Sequence, residues 1–286
     1  MTDLATLAVL RDLLLFALLA ILSGLVIYRR LGPALSTNGV YWRGSVLARP
    51  YEWEDLVAAM LVCAMLTSNV WAVPAATMET TDDKLSTASS LSQITSIALG
   101  GGFILLLSFA LLAFMQVLRN LNPVEMFGLR VIAPWRALVA AVIWTVPTFL
   151  FVTALSQITS DMLSGIWHDL SPQEPVKLFQ QSGSLMVQLT LGISAIVVAP
   201  LAEELIFRGY VYGVLKRFTD GYFAALGSAL IFAIVHMHVG TLVPLFALGL
   251  VLVAAYEVTG SLLVPMFIHA LFNASSTALI LAGFSE

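Results

Sequence analysis

The chain has 286 residues, 59% of them hydrophobic and 10% charged, with a net charge of −4 and a mean hydropathy of +0.95. A soluble domain carries roughly 25% charged residues, so this composition excludes one and points to an integral membrane protein. Basic tracts no longer than Arg29-Arg30 and Lys216-Arg217 exclude a nucleic-acid partner, and the single cysteine, Cys63, excludes an intramolecular disulfide or a thiolate cluster.

Windows of about 20 apolar residues, the length that crosses a hydrocarbon core, run near Leu7 to Tyr28, Leu56 to Ala76, Ile94 to Leu118, Ala137 to Leu155, Leu185 to Arg217, Phe223 to His238, Leu242 to Tyr256 and Ser261 to Ala282. They predict an all-α integral membrane protein with about eight transmembrane helices and no internal repeat. The uncharged run from Leu13 to Tyr28 is long for a signal peptide and lacks an A-x-A site, so a retained helix is expected. The fifth window is too long for one untilted span and carries Pro200, which predicts a kink there and a last turn or two beyond the bilayer.

Charge divides the connections into two sets. Arg29, Arg30, Arg43 and Arg49 follow the first window, Arg119, Arg130 and Arg136 the third, and Lys216 and Arg217 the fifth, while the alternate loops hold only Lys84 and Lys177 among several acids. The positive-inside rule makes the first set cytoplasmic and predicts a multi-pass protein of the cell membrane with both termini extracytoplasmic. Met78 to Gln93 and Pro172 to Gln181, rich in Ser, Thr and acids or in polar residues, are expected as external loops.

Within the fifth window stand Glu203, Glu204 and Arg208, flanked on both sides by apolar residues. An ionisable group at bilayer depth costs roughly 2.5–3.5 kcal/mol on insertion scales and usually faces a partner or a water-filled cavity. Glu204 and Arg208 are four residues apart and share a helix face; Glu203, turned by about 100°, has no charged partner on its own helix. A self-neutralising structural cluster is one use of such a group, and chemistry is the other.

Two further polar intrusions favour chemistry. Phe232 and His236 are four apart in the sixth window, as are His269 and Asn273 in the eighth. Counted from the cytoplasmic ends at about 1.5 Å per residue, Glu203 and His236 lie about 20 Å deep and Asn273 about 18 Å. An acid, two imidazoles and a carboxamide at one level supply a base for water, donors for an oxyanion and a proton for a leaving amine. His238, two residues from His236, faces elsewhere and is expected at the interface; His168 lies in an acidic loop and is expected to be solvated.

EExxxR at Glu203, Glu204 and Arg208, FxxxH at Phe232 and His236, and HxxxN at His269 and Asn273, in this order on three late helices, resemble the CPBP family of CAAX prenyl endopeptidases and bacteriocin-processing membrane proteins. Pro123-Val124-Glu125-Met126-Phe127-Gly128-Leu129-Arg130 resembles the Gly-Leu-Arg lead-in of bacterial members. The resemblance covers residues 125 to 282 and divides the chain into helices without a motif at 1–122 and a protease-like core at 123–286. It implies an intramembrane endopeptidase in which Glu203 activates water with His236, Glu204 and Arg208 brace the site, and His269 and Asn273 stabilise the oxyanion. Its substrate would be a peptide or protein that is prenylated or otherwise membrane-associated. HExxH is absent; a zinc ion on Glu203, His236 and His269 is the alternative to a metal-free glutamate mechanism. A proton-coupled transporter, or a scaffold or bacteriocin immunity protein of the same fold, are the competing functions.

Overall fold

The computed structural model describes residues 44–48, 50–70, 86–164 and 173–283, and every regular element among them is helical. Helix α1 (Trp53–Val70) begins with Glu54 and Asp55, acids that suit the positive end of the helix dipole. Helix α2 (Ser86–Ala113) runs on into a π-helical turn at Phe114–Leu118. A single turn, α3 (Pro123–Met126), is capped by the Asn122 side chain, and the long α4 (Pro134–Ser164) and short α5 (Glu174–Gln181) follow. Helix α6 (Leu185–Phe218) changes register twice, through π turns at Ser194–Val198 and Leu205–Val211. Asp220 accepts a hydrogen bond from the Phe223 amide to cap α7 (Gly221–Val235), and α8 (Leu242–Thr259) and α9 (Leu263–Leu281) complete the bundle.

Among the described residues five helices are long and apolar enough to cross a membrane: Ser90–Leu118, Pro134–Ser164, Leu185–Phe218, Val239–Thr259 and Leu263–Leu281. The protein is an all-α integral membrane protein. Five of the eight expected windows are these spans; the window at Phe223 to His238 is the shorter α7, of 15 residues; that at Leu56 to Ala76 falls on α1 as far as Val70, residues 71–76 lying outside the described residues; and that at Leu7 to Tyr28 lies outside the described residues, as do His168 and the arginines at 29, 30, 43 and 49. The segments expected as polar loops before α2 and α6 are partly helical. Residues 86–93 open α2, and 174–181 form α5, which folds because Phe179 buries itself against Val187 and Leu191.

The two halves of α6 have different surroundings. Its first half exposes Leu185, Met186, Leu189, Ile193, Val197 and Leu201, which suits hydrocarbon. Its second half buries Ile206, Phe207, Tyr210, Val211, Tyr212 and Val214 in one core with Ala59, Val62, Leu107, Met115, Phe232 and Tyr256. Helix α7 packs along α8 and α9 along α4, closing the bundle around it. The helix runs to Phe218, as the window Leu185 to Arg217 predicts, and Lys216 in its last turn is buried: Tyr212, Val214 and Leu215 still belong to the core, and the ammonium pairs with Glu257 of α8, whose carboxylate also accepts from the Tyr212 hydroxyl at 2.6 Å.

The lead-in at residues 123–130 docks on the turn between α8 and α9. The Leu262 amide donates to the Phe127 carbonyl at 3.0 Å, and Gly128, at φ +61°, lies so close that a Cβ there would strike the carbonyl of Gly260. Only glycine tolerates both the left-handed backbone and that approach. Gly128→Ala is therefore expected to cost on the order of 1–3 kcal/mol, seen as a lowered midpoint of thermal unfolding in detergent; an unchanged midpoint would show that the turn is free to move away.

Candidate active site

The site is built on the stretch of α6 between its two π turns. Pro200 explains the first of them. In the π register of Ser194–Val198 the Ala199 amide donates to the Ser194 carbonyl, and the next bond, to the Ala195 carbonyl, would need an N–H that Pro200 lacks. Asn273 of α9 supplies the missing donor, its Nδ2 lying 2.8 Å from the Ala195 oxygen. The proline thus opens a place on α6 that fixes α9 against it.

One turn later Glu204, Arg208 and His269 form a buried chain. Arg208 Nη1 donates to Glu204 Oε1 at 2.8 Å, both side chains being 0% exposed. His269 Nδ1 lies 2.9 Å from the same oxygen, so the carboxylate draws together two turns of α6 and the middle of α9. The Arg208 guanidinium also lies over the Phe232 ring, 4.1 Å from its centroid, an arrangement in which the face of the ring attracts the cation. Among the described residues Glu204 Oε2 and Arg208 Nε and Nη2 have no hydrogen-bond partner.

Glu203 turns away from this chain, towards the histidines. Its Oε2 is 4.0 Å from His236 Nε2 and 3.9 Å from His269 Nε2. The remaining ring nitrogens fix the proton positions. His236, which caps the end of α7, has Nδ1 2.7 Å from the Phe232 carbonyl; a carbonyl only accepts, so Nδ1 carries the proton and a neutral ring leaves Nε2 as a lone pair. The Glu204 carboxylate does the same for His269. Glu203 and His236 are the accessible members, with side chains 15% and 22% exposed, while that of His269 is 4% exposed.

Two imidazole nitrogens and a carboxylate oxygen are a donor set that zinc accepts, but bonds of about 2.0–2.1 Å at tetrahedral angles bring ligand atoms to roughly 3.4 Å of one another. The separations of 3.9 and 4.0 Å are wider. They leave room for a water that donates hydrogen bonds of about 2.8 Å to Glu203 Oε2 and to one of the two Nε2 atoms, and among the described residues no group of three or more His, Cys, Asp and Glu has metal-binding geometry.

Of the residues singled out in the sequence, Glu203, Glu204, Arg208, His236 and His269 meet in space. Asn273 lies a turn beyond His269 and spends one amide proton on α6. His238 turns to the Thr241 hydroxyl, 3.2 Å away. The place of the Phe232 ring under the guanidinium and the Ala195 carbonyl as the partner of Asn273 were not anticipated; the missing N–H of Pro200 was the one signal pointing to the latter.

Fold and site define a helical membrane protein with ionisable groups gathered inside the bundle. Residues 185–275 match the family model described as Type II CAAX prenyl endopeptidase Rce1-like. The chain is also 29% identical over 137 residues to the Bacillus subtilis (strain 168) protein named "Putative membrane peptidase YdiL", an alignment covering 46% of this chain and 54% of the relative. The chain thus spans about half the length of that relative. No solved structure matches with significance. The family model covers the stretch that carries Glu203, Glu204, Arg208, His236, His269 and Asn273.

The Glu204–Arg208 pair carries a stability prediction. Removing one partner leaves a buried uncompensated charge, a loss of about 3–5 kcal/mol, so Arg208→Met should lower the unfolding midpoint strongly. A double-mutant cycle with Glu204→Gln should show a coupling of about 1–3 kcal/mol; additive losses would remove the bracing role.

Proposed function

We propose that the protein is an intramembrane endopeptidase that hydrolyses a peptide bond with water activated by Glu203. The observation that carries this is the convergence of Glu203 Oε2 with the Nε2 atoms of His236 and His269 at 4.0 and 3.9 Å, with both imidazoles oriented by the hydrogen bonds of their other nitrogens. A water between Glu203 and His236 gives one proton to the carboxylate and points the other at the His236 lone pair. Its oxygen attacks the scissile carbonyl carbon. The oxyanion takes a donor from the second amide proton of Asn273, and His269, its Nδ1–H held by Glu204, adds a second donor when its Nε2 has taken up a proton from solvent before the attack, a proton it keeps through the step. Glu203 then returns its proton to the leaving amine as the C–N bond breaks. Glu204 and Arg208 brace this set, and no step calls for a metal.

The substrate class is a peptide segment of a membrane-associated or lipidated protein. That class suits a site flanked by lipid-facing helices, and the matching family description names prenyl endopeptidases. The core at 123–286 would carry the chemistry. The protein would lie in the cell membrane with Arg119, Arg130 and Arg136 on the cytoplasmic side and both termini outside.

The chemistry is tested on detergent-solubilised protein with a decapeptide library read by mass spectrometry. Glu203→Gln should abolish cleavage in a folded protein, and Asn273→Ala should lower turnover about 10²- to 10³-fold, as for one oxyanion donor. Cleavage should survive a zinc chelator. Full cleavage by Glu203→Gln would falsify the assignment, and loss in chelator with recovery on added zinc would turn Glu203, His236 and His269 into metal ligands. Orientation is checked in a Cys63→Ser background: an impermeant thiol reagent applied to intact cells should label Gln180→Cys and spare Arg130→Cys, and the reverse pattern would invert the topology.

A further inference from the structure

A segment outside the matched residues 185–275 grips α6 just below its charged turn. The Tyr51 hydroxyl donates to the Gly209 carbonyl at 3.2 Å, and the Tyr210 hydroxyl donates to Asp55 Oδ1 at 3.0 Å. The two tyrosine rings meet edge to face with centroids 5.5 Å apart, and the Tyr51 ring fills the space that Gly213 leaves open. Further along, Arg217 Nε donates to the Tyr51 carbonyl at 2.9 Å and Lys216 Nζ to the Val46 carbonyl at 3.0 Å. Asp55 is itself held: fully buried, it accepts from Arg119 Nε at 3.2 Å and from the Glu52 amide at 2.8 Å.

Gly209 and Tyr210 belong to the same π turn, Leu205–Val211, as Arg208. A π turn holds one residue more than the surrounding α-helix needs, is rare, and occurs often at functional sites; it persists where its surroundings over-determine it. Within this turn the Arg208 guanidinium makes one hydrogen bond, to Glu204, and its Nε and Nη2 make none among the described residues. Its aim therefore depends on the backbone that carries it and on the Phe232 ring beneath it. A relaxation to α register would rotate everything after the turn by about 100° and pull Gly209 and Tyr210 from their partners.

We infer that Tyr51 and Asp55 are positioning residues of the site: they hold the π turn of α6 in the register that aims Arg208 at Glu204, and through Glu204 they set the orientation of His269. The consequence for turnover rests on the proposed peptidase function, whereas the structural coupling does not.

Tyr51→Phe and Tyr210→Phe each delete one hydroxyl and keep the ring, and Asp55→Asn keeps the shape of the carboxylate. In protein labelled with 15N at its four histidines and held in detergent micelles, each variant should shift or broaden the His269 Nδ1–H signal that reports the bond to Glu204. Amide exchange across residues 205–211 should rise about tenfold or more, with α9 unchanged. With a peptide cleaved in the library screen, kcat should fall about tenfold, equivalent to about 1.4 kcal/mol of activation free energy, at a KM within twofold of wild type. Tyr51→Phe carries the test should Tyr210→Phe not fold. An unaltered His269 signal and unaltered exchange in the folded variants, or an activity loss that only follows the melting temperature, would overturn the inference. If the wild type cleaves no peptide, the peptidase reading fails while the histidine signal and exchange still decide whether the clamp sets the site.

Discussion

The Glu204 carboxylate is the point on which the arrangement depends. A carboxylate taken from water into a poorly solvated interior costs several kcal/mol unless it gains a cation and hydrogen bonds. Here both partners share one oxygen, Arg208 from the next turn of the same helix and His269 from α9. Because that sharing fixes which nitrogen of His269 is protonated, the same interaction that compensates a buried charge also orients an imidazole towards Glu203. Under the proposed mechanism, bracing and chemistry meet in one atom.

Helix α6 brings this about by departing twice from regular α geometry. Its first π turn sits where Pro200 removes a donor, and the vacated acceptor becomes the seat of Asn273. Its second carries Arg208 and lies where the helix passes from a lipid-facing to a wholly buried environment. Between them the short α segment Ala199–Glu204 presents two adjacent carboxylates to two different neighbourhoods, since consecutive helical residues point about 100° apart. Glu203 meets the histidines and Glu204 meets the arginine.

Other ion pairs with a buried member follow the same economy. Lys216 and Glu257 join α6 to α8, and Asp55 and Arg119 join α1 to the end of α2. Each pair gains hydrogen bonds from neighbouring tyrosines or backbone groups, Tyr212 and Val46 in the first case and Tyr210 and Glu52 in the second. These pairs surround the lower half of α6, so the helix with the most demanding charges is also the one most heavily tied to its neighbours. Gly249, which lets α8 approach Ala229 of α7 closely, permits the bundle to close on the guanidinium.

The sequence by itself determined the helical membrane class, five of the spans now seen, and the common depth of Glu203, His236 and the His269–Asn273 pair. Hydrophobic length and the cost of charge at depth are local properties, and the rise per residue of a helix converts sequence spacing into depth. The pairing of Glu204 with Arg208 was legible for the same reason, because four residues make one turn. Only the tertiary structure decided that His269 serves Glu204 as well as facing Glu203, that Asn273 binds the Ala195 carbonyl, and that Lys216 is buried against Glu257. These depend on the rotation and sideways placement of helices about their axes. That placement is set by π turns and by contacts between residues as far apart as Tyr51 and Gly209, and no periodicity along the chain encodes it.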